Sequence, residues 1–201
     1  MADKKKRLSR KEQRLQQVER EKRMRMLRIW LPVTIIVVAF LGLLLVRLLE
    51  PDVVGAEFIP SPPPGMHVTD ADMLTLPENN LPPMGGPHYP NWQNCGIYET
   101  VLDPGYAIHS MEHGALWITY HPDLPQEQIA ALQDKVRGQG YLLLSPYPDQ
   151  ASPIALTVWD GQLTVETAAD ERIDQFIRRY RNTRGPEQGA NCTGGIGIPI
   201  G

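Results

Sequence analysis

Residues 29 to 46 read IWLPVTIIVVAFLGLLLV, eighteen positions without a charge, and nothing else in the chain limits its fold as strongly. At 1.5 Å per residue a helix of that length reaches roughly 27 Å, close to the hydrocarbon thickness of a bilayer. A core helix of a soluble domain keeps a polar face, whereas here Thr34 is the lone polar interruption. Pro32 is expected in the first turn, where a missing N–H costs least, and Arg47 can snorkel to the headgroups ahead of Leu48 and Leu49. The reading is a single transmembrane helix over residues 29–49. A cleaved signal peptide also has a basic start and an apolar core, but a core of about 7 to 15 residues behind a short basic stretch. Twenty-eight residues precede this run, so an uncleaved anchor is preferred, with Val54-Gly55-Ala56 as the place where cleavage would fit.

Charge sets the expected orientation. Residues 1–28 hold twelve Lys or Arg against four Asp or Glu, and residues 50–201 hold seven against nineteen. The positive-inside rule then puts the N-terminus in the cytoplasm and the large domain outside the cell membrane. Residues 1–28 lack Pro and Gly and are rich in helix formers, so a basic cytoplasmic helix is expected, meeting the anionic lipid of the inner leaflet. No aromatic or groove-reading pattern accompanies the charge, which argues against nucleic acid. Both cysteines, Cys95 and Cys192, fall in the exported part, where one disulfide closing most of the domain is expected. A metal-ligand role for Cys95 is the alternative.

Residues 50–84 are read as a Pro-rich stalk, since residues 50–90 carry ten of the nineteen prolines. A domain at 85–201 follows. ALWITY (115–120) reads as a buried strand, Asp123-Leu124-Pro125-Gln126 as a capping box, and Ile129, Leu132 and Val136 as a helix face stopped by Gly138. Residues 141–144 form a second strand, and 154–159 and 162–166 flank an Asp160-Gly161 hairpin turn. Asp170 caps a last helix with Ile173, Phe176, Ile177 and Tyr180 on its apolar face. The order β-α-β-β-α implies an α+β fold, a small antiparallel or mixed sheet with helices on one face, preceded by the single transmembrane helix.

The most site-like stretch runs from Gly85 to Gly114 and holds three of the five histidines. His109 and His113 are four apart and share one face if helical; with His88 they make a three-nitrogen set, and Glu112 can bind metal or orient an imidazole. Met111 and Met84 nearby favour copper over zinc, because thioether and imidazole both suit copper. The candidate ligands are therefore His88, His109, His113, Met111 and Glu112. His109 to His113 also matches H-x-x-E-H, but that protease motif needs a long helix, and Gly114 and a strand follow at once. His67, in the stalk, and His121, at a turn, are not expected in the site. No serine sits in a nucleophile elbow, and no glycine loop precedes a helix to hold phosphate.

Gly86-Pro87-His88-Tyr89-Pro90-Asn91-Trp92, Cys95-Gly96-x-Tyr98, His109-Ser110-Met111-Glu112-His113-Gly114 and Tyr120-x-Pro122-Asp123-Leu124 together resemble a bacterial domain-of-unknown-function family numbered 3105. The resemblance covers about residues 82 to 192. It implies an N-terminal anchor and an extracytoplasmic domain, and it implies no activity. Metal binding or delivery is the leading expectation, since no separate acid–base pair is recognisable. A non-catalytic envelope module with a protein partner is the second, and a metal-dependent hydrolase the third.

Overall fold

The computed structural model describes residues 10–49, 51–74 and 76–200, and the chain divides into two units at Pro51 and Asp52. In the first unit, helix α1 (Arg10–Leu49) is continuous over 40 residues. It is long and apolar enough to cross a membrane, and its apolar side chains, such as Ile36 and Leu43, are exposed. From Arg10 onward the basic segment and the apolar run are thus one helix rather than two, and residues 1–9 of the expected basic helix lie outside the described residues. Pro32 consequently lies inside the helix, not in its first turn. There it deprives the Arg28 carbonyl of its usual donor. Thr34 Oγ bonds back to the Trp30 carbonyl at 2.8 Å, so its hydroxyl presents no unpaired donor to lipid.

The second unit is built on a six-stranded sheet in the order β1-β6-β5-β3-β4-β2. Its strands are β1 (Glu57–Phe58), β2 (Gly96–Ile97), β3 (Leu116–Tyr120), β4 (Leu142–Pro146), β5 (Ile154–Val158) and β6 (Gly161–Val165). β4 runs parallel to β2 and β3, and the other pairings are antiparallel, so the sheet is mixed. Alternation along β3 explains why ALWITY is apolar throughout. Leu116, Ile118 and Tyr120 enter the larger core, and Trp117 enters a second cluster on the other face. Helices α3 (Gln126–Val136) and α4 (Glu171–Tyr180) cover the first face through Ile129, Leu132, Val136, Ile173, Phe176 and Ile177. These are the two helices legible in the sequence. A further helix, α2 (Pro104–Glu112), contributes Ala107, Ile108 and Met111 to the second cluster.

Several local expectations shift. Asp170 caps α4 as read, accepting from the Arg172 N–H at 2.9 Å. Asp123 caps nothing: α3 begins after Pro125, which serves as N-cap without a side-chain bond, and Asp123 lies two residues too early. The hairpin turn is Trp159-Asp160 rather than Asp160-Gly161. Asp160 takes the positive φ of 62°, and Gly161 opens β6 where a Cβ would lie 2.5 Å from the Phe58 ring. The strand expected over 141–144 starts at Leu142 because Tyr141 has φ 58°.

Residues 52–74 and 76–84 belong to the second unit and, apart from β1 and a 3-10 turn at Ala71–Met73, follow an irregular path over it. Val53 is buried and its N–H meets the Tyr180 hydroxyl at 3.3 Å, while that hydroxyl donates to Asp52 at 2.9 Å. β1 adds to β6. At the other end of the domain Cys95 and Cys192 form a disulfide across 97 residues, with Cα atoms 5.4 Å apart. Residues 192–200 lie along 92–97, held by Cys95 N–H to Cys192 O and Ile196 N–H to Trp92 O.

Candidate metal centre

Helix α2 is the platform of the site. Asp103 accepts from the Gly105 N–H at 2.9 Å, Pro104 opens the helix, and Gly114, at φ 103°, follows its end. With Ala107, Ile108 and Met111 turned to the sheet, His109 and Glu112, three apart, share the opposite side. The segment carrying His88 runs beside this helix, tied by Tyr89 N–H to Gly105 O at 3.2 Å and Gln93 N–H to Tyr106 O at 3.2 Å. A third segment brings His67, whose backbone bridges His88 in parallel through Val68 N–H to His88 O and His88 N–H to Met66 O.

The result is a convergence of His67, His88, His109 and Glu112, each offering one ligand atom, all four atoms within 4.8 Å of one another. His88, His109 and Glu112 are buried and His67 is exposed, so the set opens on one side. The imidazoles of His67, His88 and His109 stand 4.9 to 5.0 Å apart centre to centre.

Protonation follows from the outer contacts. His88 Nδ1 lies 2.8 Å from the Gly86 carbonyl and His109 Nδ1 lies 2.7 Å from the Tyr89 carbonyl. A carbonyl oxygen only accepts, so both Nδ1 atoms carry the proton and, in neutral rings, both Nε2 atoms are bare lone pairs. Burial pushes the His109 imidazole down to about 4, outweighing the bond to Tyr89, so it is neutral at physiological pH. Glu112 Oε1 accepts from the Gly65 N–H at 2.8 Å, and its Oε2 comes within 2.9 Å of His88 Nε2. That pair is not aligned as a hydrogen bond, and both atoms are buried without a partner. A bare imidazole lone pair facing a carboxylate oxygen in a buried site is costly, and a metal cation between them would satisfy both. Carbonyl-anchored imidazoles with Nε2 directed inward are the arrangement by which metal-binding histidines are oriented.

The sequence-predicted residues divide. His88, His109 and Glu112 are brought together. His113, the residue after α2, packs its ring edge-on against His109 at 4.7 Å and also against Trp92, but its Nδ1 is 2.6 Å from the Asn191 carbonyl and its Nε2 is 3.6 Å from Glu187, so it is not among the converging ligand atoms. Met111 is fully buried among apolar side chains on the sheet side, so the thioether expected near the histidines is absent from this face. Cys95 is in the disulfide and has no thiolate to offer. His67, read as a stalk residue, takes the place given to His113. Its local sequence carries no signal of this, because a two-residue bridge between extended segments has no periodicity. His121 faces Asp123 at 3.6 Å on the surface and is not among the converging groups.

No curated protein and no solved structure matches the chain. A family model does, over residues 67–194, a span that starts at His67 and includes all four converging groups and both cysteines. The chain belongs to the family described as protein of unknown function DUF3105.

Proposed function

We propose that this protein holds one transition-metal ion in a membrane-tethered domain, through His67, His88, His109 and Glu112. The observation that carries the reading is the buried pair of His88 Nε2 and Glu112 Oε2, 2.9 Å apart and otherwise unpartnered, beside a second imidazole fixed by its carbonyl. Three imidazoles and one carboxylate suit a borderline divalent ion such as zinc or copper(II). The case for copper ahead of zinc rests on Met111 and Met84 in an extracytoplasmic setting, and it weakens because Met111 is buried on the sheet side. Binding or delivery is preferred to catalysis, because no acid–base group stands apart from the ligand set. The basic stretch before the apolar run supports a cytoplasmic N-terminus on anionic lipid and an extracytoplasmic domain. The disulfide supports the same placement.

One observation favours the envelope-module reading: His109 and His113 are both buried and both bonded to backbone carbonyls. For His113 that accounts for the residue. For His109 it leaves Nε2 directed at His88 and Glu112. Elemental analysis of the full chain purified in detergent decides between the readings. One metal per chain, lost in the His88→Ala/His109→Ala double variant, is expected; equal metal content in the two proteins would sink the proposal.

A further inference from the structure

The segment that supplies His67 is a flap. Its two ends meet at Asp160: Ser61 N–H donates to the Asp160 carboxylate at 2.5 Å, Ser61 Oγ donates to the Met84 carbonyl at 3.0 Å, and Asp160 N–H donates to the same carbonyl at 2.9 Å. Gly85 is pressed so closely against this junction that a Cβ there would lie 2.5 Å from Ser61 Oγ. The chain between these feet is a long excursion whose ends lie together, and its described residues from Pro62 to Asn80 are largely exposed.

What holds the middle of the loop is unusual. Among the described residues, the hydrogen bonds that tie 62–78 to the body of the fold land on His88 or Glu112: Gly65 N–H to Glu112 Oε1, Val68 N–H to His88 O, and His88 N–H to Met66 O; beyond them Asn80 O accepts from Ala151 N–H and Pro82 O from Gln162 Nε2. Both recipients belong to the proposed ligand set. Residues 62–79 bury little, with only Val68, Leu74 and Pro77 half-buried among those described. An open cleft of about 430 Å³ separates part of the loop from the body, lined by Thr69, Asp70 and Ala71 on one side and by Tyr89, Asp103 and Tyr106 on the other. A segment with few buried apolar contacts opens at small cost.

We propose that residues 62–79 are a metal-latched flap: a bound divalent ion fastens His67 to His88, His109 and Glu112, and the flap lifts when the ion leaves, pivoting between Ser61, held at Asp160, and Asn80, held at Ala151. The inference rests on the metal reading and adds that occupancy of the site sets the order of this loop. His67 is then the ligand through which the ion is admitted and released, because it alone of the four is exposed and stands on the moving part. His88, His109 and Glu112 remain on the body and hold the ion more weakly when the flap is up.

Hydrogen exchange on the full chain in detergent, with and without zinc chloride, tests this, and titration calorimetry on the same samples reports binding. The amides of Gly65, Val68 and His88 are expected to exchange at least about tenfold more slowly with zinc. The limit is about 100-fold at free zinc 100 times its dissociation constant, if lifting expels the ion. In His67→Ala, and in His67→Gln as a bulkier control, zinc still binds but leaves those amides unprotected, and a chelator strips it at least about tenfold faster than from the wild type. Binding with unchanged exchange at the three amides overturns the flap alone. No binding heat and no zinc in the purified protein overturn the flap and the metal reading together.

Discussion

Glu112→Gln separates a ligand pair from an ordinary ion pair, because the two predict opposite signs. The amide is isosteric with the carboxylate, so its oxygen can still accept from the Gly65 N–H, now 2.8 Å from Oε1. Its NH₂ then faces His88 Nε2 in place of the oxygen that lies 2.9 Å away, and donates to that lone pair. In the metal-free protein two buried unpartnered atoms acquire partners. A buried unsatisfied group costs about 1–3 kcal/mol, so the variant is expected to be more stable by an amount in that range. For a domain of this size each kcal/mol moves Tm by about 2–4 °C, giving a rise of roughly 2–12 °C in chelator. With zinc the order reverses. The wild type is stabilised by about 2.7 kcal/mol at free metal 100 times the dissociation constant, and Glu112→Gln, lacking the anionic ligand, is stabilised far less. Differential scanning calorimetry of both proteins, with chelator and with zinc, reads all four values. If His88 is instead a buried imidazolium salt-bridged to Glu112, removing the charge costs about 3–5 kcal/mol without any metal. A large fall in the chelator-treated Tm of Glu112→Gln would therefore refute the reasoning.

Other outcomes follow from the same geometry. Cys95→Ser/Cys192→Ser opens a loop of 97 residues, and chain entropy sets the expected loss at about 4–5 kcal/mol, measurable by denaturant unfolding. Gly185→Ala places a Cβ 2.5 Å from the Met111 and Glu112 carbonyls at φ 107°; a loss of about 2 kcal/mol or more in thermal unfolding is expected, with weaker metal binding. In the metal-free protein His109 stays neutral down to about 4 while the unfolded chain takes up its proton near 6.5. The unfolded state then binds more protons across that window, so the His109 contribution makes stability fall as pH drops from 6.5 towards 4. The dependence should shrink in His109→Gln, as read from denaturant midpoints at stepped pH.

What the sequence made legible was local. Ile129, Leu132 and Val136, and Ile173, Phe176, Ile177 and Tyr180, recur at helical spacing, and both sets are buried in α3 and α4. Helix α2 is bounded by Asp103-Pro104 at its start and Gly114 after its end, but it is nine residues long with Gly105 inside it, too short to display a full apolar stripe. His88, His109 and Glu112 were found because they crowd one stretch of chain. His67 was not, because its place depends on a parallel bridge to His88 across twenty-one residues, and pairing between short extended segments leaves no periodic trace. His113 differs in its partners. Four-residue spacing does bring its ring within 4.7 Å of His109, but its two nitrogens go to the Asn191 carbonyl and to Glu187, partners more than seventy residues away that no local pattern announces.

The strap over the end of α2 bears on the order of assembly. The carbonyls of Glu112 and His113 are met by the N–H groups of Glu187 and Gly189, and the Asn191 carbonyl holds His113. These partners leave the ribosome some seventy-five residues after the histidines they steady. A nascent chain that has already released His67, His88 and His109 therefore carries the donors without the frame that fixes the end of their helix. On this arrangement the centre is completed late in folding, and the disulfide at Cys192 fastens the strap that frames it.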